Sequence, residues 1–242
     1  MNSYLHIQPG LLILHGSVLD NDWHQHNAIQ IIWPESGFKL DLAEQAVTQA
    51  KAHVIYSGIK HRLEMQQGWV ILIEPQTQLG ELLQAQLHTA PALNYFQKIE
   101  NEDISLNQLK PLWQALGANL AINELIQDKP QLDTRLQALQ QKLNLCLEGE
   151  CIKPDHWKAA SIAQELGLSE SRFLHLFKAE MNIAWRPYLL WRRLLCAVNS
   201  LQKGRSATEA AHIAGFSDSA HLSRTFRNNF GMTIRQAAQA LP

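Results

Sequence analysis

The sequence predicts a two-domain α+β protein: an N-terminal antiparallel β-sandwich or β-barrel with a helical hairpin, then an all-α domain with two helix-turn-helix units. Three observations carry this. Short strand-like segments separated by turn residues fill positions 11–75. Beyond Pro75 the apolar period lengthens from two to about 3.6 residues. After Asp155 one helix–glycine–helix pattern occurs twice.

Taken in order, the strand-like segments are Leu11–Leu14, Ile29–Trp33, Phe38–Leu42, Ala52–Tyr56 and Trp69–Ile73. Asp20-Asn21-Asp22, Pro34-Glu35-Ser36-Gly37, Ser57-Gly58 and Gln67-Gly68 punctuate them as turns. Leu79, Leu82, Leu83 and Leu87 then share one helical face. Leu106, Leu109, Leu112, Trp113, Leu116 and Leu120 make a second stripe, and Leu132, Leu136, Leu139, Leu143 and Leu147 a third. These two form the expected hairpin. The third is spaced closely enough to a heptad to offer a homodimer contact. The domain reading is therefore 1–90 for a barrel, 91–150 for a helical dimerisation or linker segment, and 151–242 for a domain built on the duplicated helix pattern.

The duplicated unit is the most informative feature. Ala163 stands four residues before Gly167, and Ala211 four before Gly215. The alanine permits close helix approach, and the glycine ends the first helix in a left-handed conformation. Ser169 and Ser217 are placed to cap the next helix. That helix buries Phe173 with Phe177 in the first copy and Leu222 with Phe226 in the second. Ser206 and Glu209 have capping-box spacing. Helix, glycine turn and amphipathic helix make a helix-turn-helix unit. The glycines are 48 residues apart, joined by an apolar, basic helix over about Arg186 to Lys203. Such a rod is roughly 27 Å long, near the roughly 34 Å of one duplex turn.

The run from Gly215-Phe216-Ser217 through Phe226-Arg227-Asn228-Asn229-Phe230-Gly231 resembles the C-terminal signature of AraC/XylS-type regulators. Leu168-Ser169 to Met181-Asn182, with Tyr188-Leu189 and Arg192-Arg193-Leu194, resembles the first half of that family's DNA-binding domain. The resemblance covers about Trp157 to Thr233. It implies a bacterial transcription regulator with a cupin-like N-terminal barrel that senses a small molecule. Two departures stand out. Gly231-Met232-Thr233-Ile234-Arg235 lacks the usual Pro and Tyr, so the last helix is expected to pack differently. Asn182 replaces a glycine, a mild change because Asn tolerates the left-handed region.

In each second helix, the face opposite the buried pair is expected to meet the groove. These residues are Ser171, Leu174, His175 and Lys178, then Ser219, Ala220, Ser223, Arg224 and Arg227. Arg224 suits bidentate bonding to guanine. Lys178 and Arg227 suit phosphates. Leu174 suits a thymine methyl.

Trp23-His24-Gln25-His26 and His61 have the residue types of a cupin metal site. Yet Gln30 occupies the carboxylate's place, and a neutral amide is a poor ligand and no general base. The reading is therefore a protein that is not an enzyme and has neither cofactor nor metal. His24, His26, Gln30, His61 and Trp69 become effector-pocket candidates. The alternative is a cupin-type metalloenzyme using His24, His26 and His61. Expected partners are double-stranded DNA, a small-molecule effector, RNA polymerase and a second copy of the chain in a homodimer.

With 46% hydrophobic residues the chain is not disordered. No apolar run approaches a membrane span, and no secretory signal opens the sequence. Three cysteines, Cys146, Cys151 and Cys196, form an odd count. Reduced thiols and a cytoplasmic location are expected. The net charge of −1 argues against nucleic acid only until it is divided. Residues 151–242 hold 12 Lys+Arg against 6 Asp+Glu, and residues 1–150 hold 9 against 16. A basic half joined to an acidic half is the pattern of a reader joined to a sensor.

Overall fold

A computed structural model of the chain describes residues 4–42, 45–47, 52–87, 92–95, 132–149 and 157–240. They form two compact units, one of residues 1–127 with 225–242 and one of residues 128–224.

The first unit is built on β1 (Tyr4–Gln8), β2 (Leu11–Asp20), β3 (Ile29–Leu42), β4 (Gln45–Val47), β5 (Ala52–Ile55), β6 (His61–Ile73) and β7 (Ala92–Tyr95), with α1 (Gln78–Leu87) between β6 and β7. The strands make one antiparallel sheet in the order β1-β2-β6-β3-β5-β7, with β4 paired to β3. Among the described residues the expected barrel is corrected to an open sheet. A barrel needs a partner for both edges, whereas β1 pairs with β2 and β7 with β5, not with each other.

Two expected turns also lie inside strands. β3 runs through Pro34–Gly37 because the register shifts between Pro34 and Ser36, and the bulge accommodates a residue without an N–H. β6 runs through Gln67-Gly68 opposite that bulge. There a Cβ on Gly68 would stand 2.4 Å from the Trp33 carbonyl oxygen, so the close approach requires glycine. Leu11, Ile13, Ile29, Ile31, Trp33, Val54, Trp69, Ile71 and Ile73 form the core, closed by Leu79 and Leu83 of α1. Thr77 starts that helix by accepting the Gly80 N–H at 3.0 Å.

The expected helix over Leu106–Leu120 lies outside the described residues. The third stripe is helix α2 (Thr134–Glu148), started by Asp133, whose carboxylate accepts the Arg135 N–H at 3.0 Å. Then come α3 (Ala159–Glu165), α4 (Glu170–Met181), α5 (Trp185–Gln202), α6 (Ala207–Ile213), α7 (Ser219–Phe230) and α8 (Ile234–Ala240). The stripe is not a free dimer face. Leu132, Leu136, Leu139 and Leu143 pack with Trp157, Ile162, Phe173, Phe177, Trp185 and Tyr188 of the same unit. Arg192 of α5, 1% exposed, adds a buried tie by donating to Asn144 Oδ1 of α2 at 2.8 Å. Cys196 is disulfide-bonded, not the reduced thiol expected. Among the described residues no helix is long and apolar enough to cross a membrane.

Candidate nucleic-acid interface and histidine cluster

Two helix–glycine turn–helix segments follow from local sequence. α3 ends at Gly167 with φ +65°, and α6 at Gly215 with φ +77°. In both turns the N–H three residues past the helix end bonds back: Leu168 to the Ala163 carbonyl and Phe216 to the Ala211 carbonyl, each at 2.8 Å. Ser169 caps α4 by accepting the Arg172 N–H at 3.3 Å. Ser217 does not cap α7 as expected. Asp218 does, accepting the His221 N–H at 2.7 Å, while Ser217 donates to the Asp218 carboxylate. A carboxylate there also favours the positive end of the helix dipole. Ser206 and Glu209 form the capping box at the start of α6. Asn182 adopts φ +53° after α4, as its tolerance of that region implies.

Phe173 and Phe177 of α4 are fully buried against Trp185 and Tyr188 of α5. That seating leaves Ser171, Leu174, His175 and Lys178 exposed. In α7, Leu222 and Phe226 are buried, and Ala220, Ser223, Arg224 and Arg227 are exposed, with Ser219 half-buried. Ser223 donates its hydroxyl to the Ser219 carbonyl at 2.7 Å, which leaves its oxygen as an acceptor. Arg227 is already engaged: its guanidinium donates to the Asp22 carboxylate. That cation holds the Asp22 carboxyl below its ordinary range.

His24, His26 and His61 converge, and one ring nitrogen of each lies within 4.8 Å of those of the other two. A backbone bridge between His24 and His61 holds the strand approach, with N–H to carbonyl distances of 3.0 and 2.9 Å. Each Nδ1 faces a carbonyl: Asp22 at 2.8 Å from His24, Ala28 at 3.0 Å from His26 and Ile59 at 2.9 Å from His61. Only a protonated Nδ1 can donate to these oxygens, so the neutral rings are Nδ1–H tautomers with Nε2 lone pairs. Burial keeps them neutral, lowering His24 to about 4, His61 to about 3 and His26 also below its ordinary value. The Gln30 carboxamide is 2.8 Å from His26 Nε2 and 3.2 Å from His61 Nε2. The atom placed there is Oε1; with both nitrogens as acceptors, the carboxamide must be flipped to turn its NH2 toward them.

Of the effector-pocket candidates, His24, His26, Gln30 and His61 are thus brought together. Trp69 is not. It is fully buried in the sheet core beside His15, ring centroids 4.7 Å apart. A groove of about 750 Å³ lies instead in the second unit, lined by Trp157, Trp185, Pro187, Leu190, Arg186 and Arg193 among others. Sequence reasoning missed the Asp22–Arg227 pair, because nothing local marks a contact between positions so far apart in the chain.

A family described as a helix-turn-helix domain matches residues 162–240. The virulence regulon transcriptional activator VirF of Yersinia enterocolitica and the thermoregulatory protein LcrF of Yersinia pestis are each 34% identical over 82 residues. Those matches span 34% of this chain and 30% of each relative. An apo structure of ToxT from Vibrio cholerae superposes with TM-score 0.57 at 12% identity, covering 96% of this chain and 98% of that one. ToxT bound to (E)-4-(8-methylnaphthalen-1-yl)but-3-enoic acid gives 0.50 at 12% identity, covering 98% and 97%. At such identity these structures are alike in fold: an antiparallel-sheet N-terminal part and a helical C-terminal part. The glycine turns, the capped second helices and the matched segment agree on a helix-turn-helix domain over residues 162–240.

Proposed function

We propose that this chain is a cytoplasmic, sequence-specific regulator of transcription. Both helix pairs read duplex DNA, and the N-terminal unit takes a small-molecule effector. The observation that carries the reading is the exposed face of α4 and α7. Seating Phe173, Phe177, Leu222 and Phe226 inward turns Leu174, His175, Lys178, Ser223 and Arg224 outward at groove-reading positions. α5, 18 residues and about 27 Å long, is the spacer between the two readers. Arg224 reads a guanine, and Lys178 and Arg227 fix register on phosphates.

The ToxT structure with a bound organic acid supports effector control, since a protein of this fold holds a small carboxylic acid. Effector binding acts by shifting the population of DNA-competent chains. The assembly in this reading is a homodimer that meets RNA polymerase, and sedimentation with and without duplex checks the dimer. The enzyme reading loses ground because the histidine cluster includes no carboxylate among the described residues.

Selection of bound fragments from genomic DNA, followed by titration at several salt concentrations, tests the function. Specific binding is expected to weaken steeply with salt. Arg224→Ala should lose about 1–3 kcal/mol on the selected site and relax one base position. An equal loss on random duplex would reduce Arg224 to a phosphate contact.

A further inference from the structure

The histidine cluster and the Arg227 contact are joined through one short segment. His24 Nδ1–H donates to the Asp22 carbonyl at 2.8 Å. The Asp22 N–H donates to the Gly231 carbonyl at 2.6 Å, and the Asp22 carboxylate holds Arg227. Residues 225–242 belong to the same compact unit as the sheet. Gly231, at φ +66°, is pressed so closely that a Cβ there would stand 2.4 Å from the Asp22 oxygen and 2.5 Å from His24 Nδ1. We propose that His24, His26 and His61 bind a divalent transition-metal ion of the zinc class, and that this ion locks the Asp22–Arg227 contact and so withholds Arg227 from DNA.

The chemistry of the donor set fits such an ion. Three neutral imidazoles with Nδ1–H fixed on backbone carbonyls are the orientation metal-bound histidines adopt, with Nε2 left as the ligand atom. Zinc–nitrogen bonds of about 2.0–2.1 Å place ligand nitrogens roughly 3.4 Å apart, so the widest pair in the cluster closes by up to about 1.4 Å from its 4.8 Å limit. Gln30 stands beside two of the rings, where its carboxamide can turn its oxygen to the ion or orient a water on it. Ligation at Nε2 makes the opposite N–H a stronger donor. The His24 bond to the Asp22 carbonyl therefore tightens, and the Asp22 turn is held where it engages both Gly231 and Arg227. Because the ion stabilises the arrangement in which Arg227 is occupied, it lowers DNA affinity, and DNA lowers metal affinity by the same factor.

The DNA arm of this inference rests on the proposed function; the metal and contact arms do not. Metal-stripped full-length protein is titrated calorimetrically with zinc chloride. One ion per chain is expected for the wild type and for Asp22→Ala, and a loss of at least tenfold in affinity for His26→Gln and for His61→Gln. Hydrogen exchange in segments 20–26 and 227–235 should slow with zinc in the wild type; in Asp22→Ala, which keeps the histidines and the backbone bonds, 20–26 should still slow, and 227–235, without the Arg227 ion pair, should slow less. On the selected duplex, zinc should weaken wild-type binding by at least about fivefold. Asp22→Ala should bind the duplex more tightly without zinc and ignore its addition. Absence of stoichiometric zinc in the wild type overturns the proposal, and so does zinc binding that leaves exchange in both segments unchanged. A chain that takes up zinc and slows exchange but binds no duplex refutes the proposed function and leaves the metal-locked contact standing.

Discussion

Gly167 and Gly231 have almost the same backbone conformation, φ +65° and +66°, in opposite surroundings. Nothing lies within 4 Å of a Cβ built on Gly167, whereas one on Gly231 meets the Asp22 carbonyl oxygen at 2.4 Å and His24 Nδ1 at 2.5 Å. Gly167→Ala therefore carries conformational strain alone, about 1–2 kcal/mol. Gly231→Ala carries the same strain plus a steric conflict needing a shift of most of an ångström, an overpacking cost of about 1–3 kcal/mol more. The assay is urea unfolding of both variants, paired with hydrogen exchange over residues 20–26. Gly231→Ala should be the less stable variant and should lose protection at the Asp22 N–H, while Gly167→Ala should leave that segment unchanged. Gly167→Asn, borrowing the tolerance seen at Asn182, should recover part of the loss. Equal destabilisation of the two alanine variants, with Asp22 protected in both, would show that Gly231 is not pressed against the sheet unit.

Phe177→Ala should destabilise the second unit by about 3–5 kcal/mol, because the ring is fully buried with centroids 5.1 Å from Trp185 and 5.3 Å from Tyr188. Leu174→Ala, three residues away on the exposed face, should stay within about 0.5 kcal/mol in the same denaturation assay. The Asp133 carboxyl, hydrogen-bonded by the Arg135 side chain and N–H, is held down to about 2. Its folded value lies below its unfolded one, so its stabilisation is complete above about pH 4 and is lost as pH falls through 2. Asp133→Ala should cost about 1 kcal/mol at neutral pH and remove that acid limb from a plot of urea midpoint against pH.

Much of this protein was legible in the chain because its signals are local. Gly167 and Gly215 mark helix ends since only glycine enters the left-handed region cheaply, and the 3.6-residue spacing of Phe173, Phe177, Leu222 and Phe226 assigns a buried and a free face without any knowledge of neighbours. The Ser206–Glu209 capping box and the split of charge at about residue 150 are of the same kind. Where the chain was misread, a distant partner decided. Pro34–Gly37 and Gln67-Gly68 look like turns one at a time, yet they face each other across β3 and β6, and a bulge with a close glycine keeps both strands running. Ser217 lost its cap to Asp218, whose carboxylate is the stronger acceptor at a helix start. The Leu132–Leu147 stripe is as apolar as a dimer seam, and its spacing alone cannot say whether the partner is another chain or Trp157, Phe173 and Tyr188 of this one. By itself, then, the sequence determined the two glycine-turned helix pairs and the residues that face outward from them. Only the tertiary structure decided that the described strands form an open sheet, that a ring nitrogen of each of three histidines meets those of the other two, and that Asp22 holds Arg227. Those outcomes depend on approach between residues far apart in the chain, which hydrophobic period and turn chemistry do not encode.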